Sequence, residues 1–241
     1  MKLRSVVVSA LLLAAPFVAA QEEEAASPWA GKATLGYLAT SGNTDNSTLN
    51  SGFEISYTSG DWKHLFGARA INATQDEVTT AEAYEANWKS ERSLSEHNYL
   101  FGQLDWRKDR FSGYDKQFSQ TVGYGRRLID KEKHKLNVEI GAGARQSDLA
   151  DGTEESETII RGGLGYLWQI SETAAFTQDF TVESGDTNTY TESKTALSAQ
   201  LVGNLALVAS YTIKHNSDVP VAVPVIEKTD TYTALSLEYA F

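Results

Sequence analysis

The sequence predicts an all-β fold: a transmembrane antiparallel β-barrel of about twelve strands with both termini periplasmic. Three observations carry the prediction. Apolar and polar residues alternate with period two along nearly the whole chain after Trp29. The connections between these runs are by turns short and long. The last run, "TYTALSLEYAF", stops on an aromatic residue at the chain end, where a terminus frays unless something ties it down.

The elements follow in order. "MKLRSVVVSALLLAAPFVAAQ" has a basic start at Lys2 and Arg4, an apolar run from Val6 to Ala15, and Val18-x-Ala20 before Gln21. That layout predicts a cleaved signal peptide over 1–20 and export from the cytoplasm. The apolar run is shorter than the roughly 20 residues a spanning helix needs. Residues 21–28 read as an acidic, flexible leader, and 29–241 as an outer-membrane β-barrel. Strands are expected near 29–40, 47–59, 62–76, 80–93, 98–110, 114–129, 135–148, 155–169, 174–184, 189–201, 205–217 and 230–241. "SGD" (59–61), "SLSEH" (93–97), "IDKEKH" (129–134), "SET" (171–173) and "VGN" (202–204) read as short turns. "SGNTDN" (41–46), "DLADGTEES" (148–156), "GDTNT" (185–189) and "SDVPVAVPVIEKTD" (217–230) are mostly longer and more acidic, and the last holds Pro220 and Pro224. An even number of strands then places both termini on the short-turn, periplasmic side.

One face of nearly every strand is apolar. "LNVEIGAGARQ" sets Leu136, Val138, Ile140, Ala142 and Ala144 against Asn137, Glu139, Gly141, Gly143 and Arg145. Alternation is shared by soluble sandwiches, so the aromatic positions matter. Trp62, Trp168, Phe176, Tyr239 and Phe241 fall near the short-turn ends; Tyr84, Trp106 and Phe118 fall near the long-loop ends. Two girdles at two water–lipid interfaces would have this distribution. Gln120 and Gln178 fall on the apolar face, where a register slip would account for them. Closure pairs the last strand with the first and removes the edges that lipid does not tolerate.

Composition excludes several classes. There is no cysteine. Without the two basic residues of the signal peptide, 19 basic residues face 32 acidic ones, a net charge of −13. Nucleic-acid binders need a basic face. The four histidines, His64, His97, His134 and His215, form no metal motif, and no cofactor is expected. The acidic positions Asp148, Asp151, Glu154, Glu155, Glu157 and Asp186 read as solvated loops rather than a cation site. His215 and Ser217 share one face of a strand, the minimum for a lipid-hydrolysing barrel, but no orienting partner is evident.

Three stretches, "GYLATSGNTDNSTLN" (36–50), "WRKDRFSGYDKQFSQTVGYGRRLID" (106–130) and "LSLEYAF", resemble the salt-induced outer-membrane protein family, a bacterial domain family of unknown function. The resemblance covers about 29–241 and implies an outer-membrane barrel whose amount rises with salt. It implies no substrate and no catalytic residues. The aromatic end, Tyr239 and Phe241, is similar to the terminal insertion signal of outer-membrane barrels as a class. Expected partners are therefore the barrel-insertion machinery, outer-membrane lipid and lipopolysaccharide.

The candidate site is the lumen. Glu54, Arg69, Glu85, Lys89, Asp105, Arg107, Glu139, Arg145, Arg161, Asp179, Glu183, Glu192, Lys194 and Lys214 are expected to line it, with Lys63, Arg127 and Glu238 on the same face. Gly123, Gly125, Gly141, Gly143, Gly163 and Gly165 are expected to form an inward glycine patch. These charges either set the selectivity of a narrow, porin-like channel for ions or small solutes, or pair into a plug in a structural or partner-binding envelope barrel. The glycines either form a passage or allow curvature and packing of an inward aromatic such as Phe101.

Overall fold

The computed structural model describes residues 27–40, 46–76, 78–109, 112–220 and 226–241. The expected signal peptide (1–20), most of the expected leader (21–28), 41–45, Arg110, Phe111 and Pro224 lie outside the described residues.

Twelve strands are described: β1 Trp29–Thr40, β2 Asn46–Ser59, β3 Trp62–Gln75, β4 Val78–Ser93, β5 Asn98–Asp109, β6 Tyr114–Asp130, β7 His134–Leu149, β8 Glu154–Gln169, β9 Ala174–Ser184, β10 Thr189–Val202, β11 Leu205–Asn216 and β12 Thr229–Ala240. Each pairs antiparallel with its sequence neighbours, and β1 pairs with β12, so the sheet is a closed barrel with no free edge. The seam runs Lys32–Leu35 against Leu237–Ala240. Gly31 and Phe241 extend it by two backbone bonds, Gly31 N–H to Phe241 O at 2.8 Å and Phe241 N–H to Gly31 O at 2.9 Å. The last residue is thus tied down by the first strand.

At one end the connections are short. Two are two-residue turns, Gly60-Asp61 and Gly203-Asn204, whose glycines sit at φ +56° and +52°. A left-handed first position matches the twist of a tight hairpin, and glycine takes it without strain. The opposite end carries most of the longer connections. The exception joins β3 to β4, where Asp76 takes φ +49° and only two residues separate the strands.

The wall is apolar outside and polar inside. Val122, Ile140 and Ile160 are exposed by 70%, 63% and 63% on the outer wall, whereas Arg145 and Glu183 are exposed by 0% and 1% inside. Gln120 and Gln178 keep the outward register without a slip. Gln120 donates to Gln146 at 3.1 Å. Gln178 donates to Ser193 at 3.0 Å and accepts from Thr195 at 2.5 Å. Their amide groups are satisfied along the wall. A bulge between Tyr114 and Lys116 shifts parity, so Tyr114 turns inward while Lys116 meets Asp148 at 2.6 Å.

Candidate functional site

Contacts between strands that are not neighbours cross the lumen. On β3, Arg69 binds Glu85 of β4 at 2.5 Å and reaches Glu192 of β10 at 3.3 Å. Lys214 of β11 closes the bridge on Glu85. Tyr190 donates to Glu192 at 2.5 Å. A second group centres on Glu183 of β9: Arg107 of β5 reaches it at 2.5 Å, Arg145 of β7 lies 3.7 Å away, and Ser119 of β6 donates at 3.3 Å. Arg145 also binds Glu157 at 2.6 Å and the Asn188 carbonyl at 2.5 Å. The Arg107 guanidinium stacks 4.0 Å from the Tyr190 ring, which joins the two groups.

Nearer the short turns, Lys89 pairs with Glu91 at 3.2 Å and with Glu139, which also accepts the Tyr99 hydroxyl at 2.7 Å. Arg127 lies 3.8 Å from Glu91. On the opposite wall Lys32 bridges Glu54 at 3.2 Å and Glu238 at 3.4 Å, with the Glu54 side chain 58% exposed. Asp179 stands opposite Lys194 in register, and its other neighbour is Gly165. Asp105 accepts both bonds from Gln103 at 2.9 Å. Arg161 donates to Thr181 at 3.4 Å, while its Nε and Nη1 have no hydrogen-bond partner among the described residues.

The glycines lie within these rows. Phe101, Gly123, Gly141, Arg161 and Glu183 are successive partners across β5 to β9. The Phe101 ring fills the space above Gly123 and Gly141, where an added Cβ would lie 2.6 and 3.2 Å from its Cζ. Tyr99 likewise covers Gly125. At Gly143 a Cβ would collide with the Gln120 carbonyl and the β6 backbone. An added Cβ at Gly163 would sit tightly, 3.3 Å from the Glu139 carboxylate, and one at Gly165 would lie at ordinary spacing, 3.5 Å from Asp179.

At the long-loop mouth a cavity of about 20 Å³, room for roughly one water, is bounded by Glu85, Arg107, Tyr190, Lys214 and Asp230. The charged residues lining it are three cations, Arg107, Lys108 and Lys214, and three anions, Glu85, Asp109 and Asp230, so its lining has little net charge.

Lys32, Glu91, Glu157 and the two inward tyrosines Tyr99 and Tyr190 belong to this network and were not among the expected lumen residues. Alternation was a sufficient signal for four of them: Glu91 shares the parity of Lys89, Tyr99 that of Asp105, Glu157 that of Arg161 and Tyr190 that of Glu192. Glu157 is corrected from loop acid to a lumen partner of Arg145, with a side chain only 6% exposed. Asp148 pairs outward, and Asp151 accepts the Thr153 amide at 2.9 Å, which holds its carboxyl below the usual range. Among the described residues no group of three His, Asp or Glu could hold a metal ion. His215 bonds Thr229 at 2.8 Å, and Ser217 accepts the Thr189 amide at 2.8 Å, so the two have separate partners. Tyr239 and Phe241 lie on the outer wall, 52% and 60% exposed, with the Phe241 ring over Gly31.

Comparison with known proteins places this geometry. A family model described as "Protein of unknown function, DUF481" matches residues 33–241. The uncharacterized protein YdiY of Escherichia coli (strain K12) is 32% identical over 216 residues, covering 90% of this chain and 84% of that protein. Among solved structures, the NanC porin is similar with a TM-score of 0.53 and 10% identity, covering 87% of this chain and 98% of the porin. The translocator domain of the autotransporter NalP from Neisseria meningitidis is similar with a TM-score of 0.50 and 10% identity, covering 88% of this chain and 87% of that domain. At such identities the likeness is one of fold, and a fold hosts several functions. By family match and by relative, the chain belongs to the family of proteins of unknown function called DUF481, and it is built on a closed twelve-stranded barrel of the outer-membrane kind.

Proposed function

We propose that this protein spans the bacterial outer membrane as a porin-like barrel and conducts ions or very small solutes through a constriction made of ion pairs. The supporting observation is the set of charged contacts that cross the lumen between non-neighbouring strands, Arg69–Glu192, Lys214–Glu85 and Arg107–Glu183. An apolar outer wall suits lipid, and a closed sheet satisfies every backbone group there. Export through the 1–20 signal peptide would deliver the chain to the periplasm, and the exposed Tyr239 and Phe241 would present the insertion signal. The short turns then face the periplasm. With little net charge at the constriction, the acidic loops set the bias, which favours cations.

Planar-bilayer recording in asymmetric potassium chloride tests this reading. The parent barrel should give small steps with a cation-selective reversal potential. Replacing Arg69 and Glu85 together with alanine removes one bridge and leaves Glu192 and Lys214 as opposite charges; the steps should grow. If both barrels fold and stay silent, the charges are a plug. The rival reading, a structural envelope barrel, rests on the complete burial of Arg145 and Glu183. Expression at raised salt tests the salt response separately.

A further inference from the structure

The outer wall is not uniform near its short-turn rim. Trp29, Tyr57, His64, Ser90 and Gly102 are successive partners across β1 to β5 and form one row of outward side chains. Flanking rows lie two residues, about 7 Å, to either side along the strands. On the rim side stand Trp62, Arg92 and Leu100; on the other stand Phe66, Trp88 and Leu104. The middle row falls from bulky rings to a serine and then to a glycine. A Cβ at Gly102 would meet nothing within 4 Å. A cavity of about 300 Å³ opens beside His64 among Trp29, Ile55, Tyr57, Phe66 and Trp88. The cavity lies on the ring side of His64, and beyond it the Ser90–Gly102 half of the row is a shallow trough between the bulkier flanking rows.

Its polar groups are free to bind. The His64 ring stacks on Trp62 at 6.0 Å and Trp88 at 6.5 Å, and its nitrogens have no hydrogen-bond partner among the described residues. The Arg92 guanidinium lies 5.7 Å from the Trp62 ring and has no carboxylate partner among the described residues. A second outer-wall histidine serves as contrast. His134 stacks on Tyr166 and Trp168 in the same way, but its Nδ1 is satisfied by the Tyr166 hydroxyl at 2.8 Å. His134 thus has a partner on the wall, whereas the half-buried His64 ring and the exposed Arg92 remain open to a ligand from outside.

We propose that this trough binds one anionic phospholipid of the periplasmic leaflet, its phosphate held by Arg92 and His64 and one acyl chain lying over Ser90 and Gly102. The inference rests on the membrane orientation proposed above. Arginine is the residue suited to phosphate, through paired, charge-assisted hydrogen bonds. The apolar walls and bare floor suit a hydrocarbon chain, and the level of the site, at the aromatic rim, is where headgroup and chain meet.

The test uses the barrel with Trp106→Phe and Trp168→Phe, which leaves Trp29, Trp62 and Trp88 as its only tryptophans. It is placed in dioleoylphosphatidylcholine vesicles, and brominated dioleoylphosphatidylglycerol is titrated in while fluorescence quenching is followed. A preference for phosphatidylglycerol of about tenfold is expected: both lipids offer the phosphate, but phosphatidylcholine also sets a quaternary cation beside the Arg92 guanidinium. His64→Ala with Arg92→Gln should bring the ratio close to one. Gly102→Leu fills the floor without touching a charge and should also lower it. A ratio near one in the parent, or one unchanged in both variants, overturns the proposal. Quenching by brominated phosphatidylcholine reports insertion itself; if neither lipid quenches, the membrane reading has failed, not only the site.

Discussion

Glu183 offers the sharpest test of how dry the lumen is. Its side chain is 2% exposed, with Arg107 at 2.5 Å, Ser119 at 3.3 Å and Arg145 at 3.7 Å. Glu183→Gln keeps the shape but removes the charge shared by Arg107 and Arg145 and faced by Arg161 across the β8–β9 pair. Breaking a buried pair by removing one partner costs about 3–5 kcal/mol, because the other charge stays buried. Arg145 retains Glu157, so the lower end applies, about 3 kcal/mol. With a urea dependence of about 2 kcal/mol per molar, the unfolding midpoint should drop by about 1.5 M. Tryptophan fluorescence of the barrel in detergent micelles measures it. Glu54→Gln is the control: the same charge is removed from a side chain 58% exposed, where a pair is worth about 0–1 kcal/mol. Its midpoint should move by less than about 0.5 M. Equal shifts in the two variants would refute the reasoning, since they would mean that water screens the whole lumen. Replacing Arg107 and Glu183 together with methionine should restore part of the loss, because Arg107 is then no longer stranded, although Arg161 still loses the carboxylate opposite it in register.

Other expectations follow from single contacts. Gly125→Val should push the Tyr99 ring aside and break its 2.7 Å bond to Glu139, costing about 1–3 kcal/mol in the same urea assay. Gly143→Leu should weaken the β6–β7 pairing rather than narrow a passage, so the variant should show a lowered unfolding midpoint and not merely smaller conductance steps. Deleting Phe241 removes the two hydrogen bonds that finish the seam; the fraction of heat-modifiable, folded barrel on a gel should fall as the seam loosens. The Asp151 carboxyl, lowered by the Thr153 amide, should titrate below a free-peptide aspartate when its chemical shift is followed. Its contribution to the turn is complete above the ordinary aspartate range and is lost as pH falls through the lowered value.

The period of two made most of the architecture legible. Once Ile140 and Ile160 are set outward, every other residue on β7 and β8 follows, and with them Arg145 and Arg161. The same rule placed Gln120 and Gln178 outward, and the structure keeps them there by bonding each amide to a neighbour on the wall. What alternation does not encode is a change of parity. Tyr114 has the parity of Phe118 and reads as outward, yet the bulge at Asp115 turns it in, where its hydroxyl donates to the Asp218 carbonyl at 3.1 Å. Nor does alternation encode who meets whom across the lumen. Arg69 and Glu192 are 123 residues apart, and only strand number, tilt and stagger together decide that they meet. Glu157 was misread because the acidic run before it has loop composition, although its parity already set it beside Arg145.

The inward glycines show why the lumen is filled rather than smooth. A glycine in a strand gives up packing, so three on consecutive strands need a compensating contact. Phe101 lies beside Gly123 in register, and Gly123 beside Gly141, so the ring can fold across both without meeting a Cβ. Tyr99 does the same over Gly125 and thereby reaches Glu139. The Lys89 ammonium then lies 5.1 Å from the Phe101 ring and 5.8 Å from the Tyr99 ring while it pairs with Glu139. Glycine, ring and charge thus form one layered unit: the bare backbone seats the rings, and the rings hold the ammonium at the carboxylate. A side chain added at Gly123 would collide with the Ile140 carbonyl and the Gly141 backbone of β7 as well as with the Phe101 ring, so it would disturb the β6–β7 pairing together with the Lys89–Glu139 contact that the ring supports. On the proposed conduction, glycine variants should therefore change conductance and stability together, whereas lumen variants at the more accessible Lys32–Glu54 pair should change conductance with an unfolding midpoint moved by less than about 0.5 M.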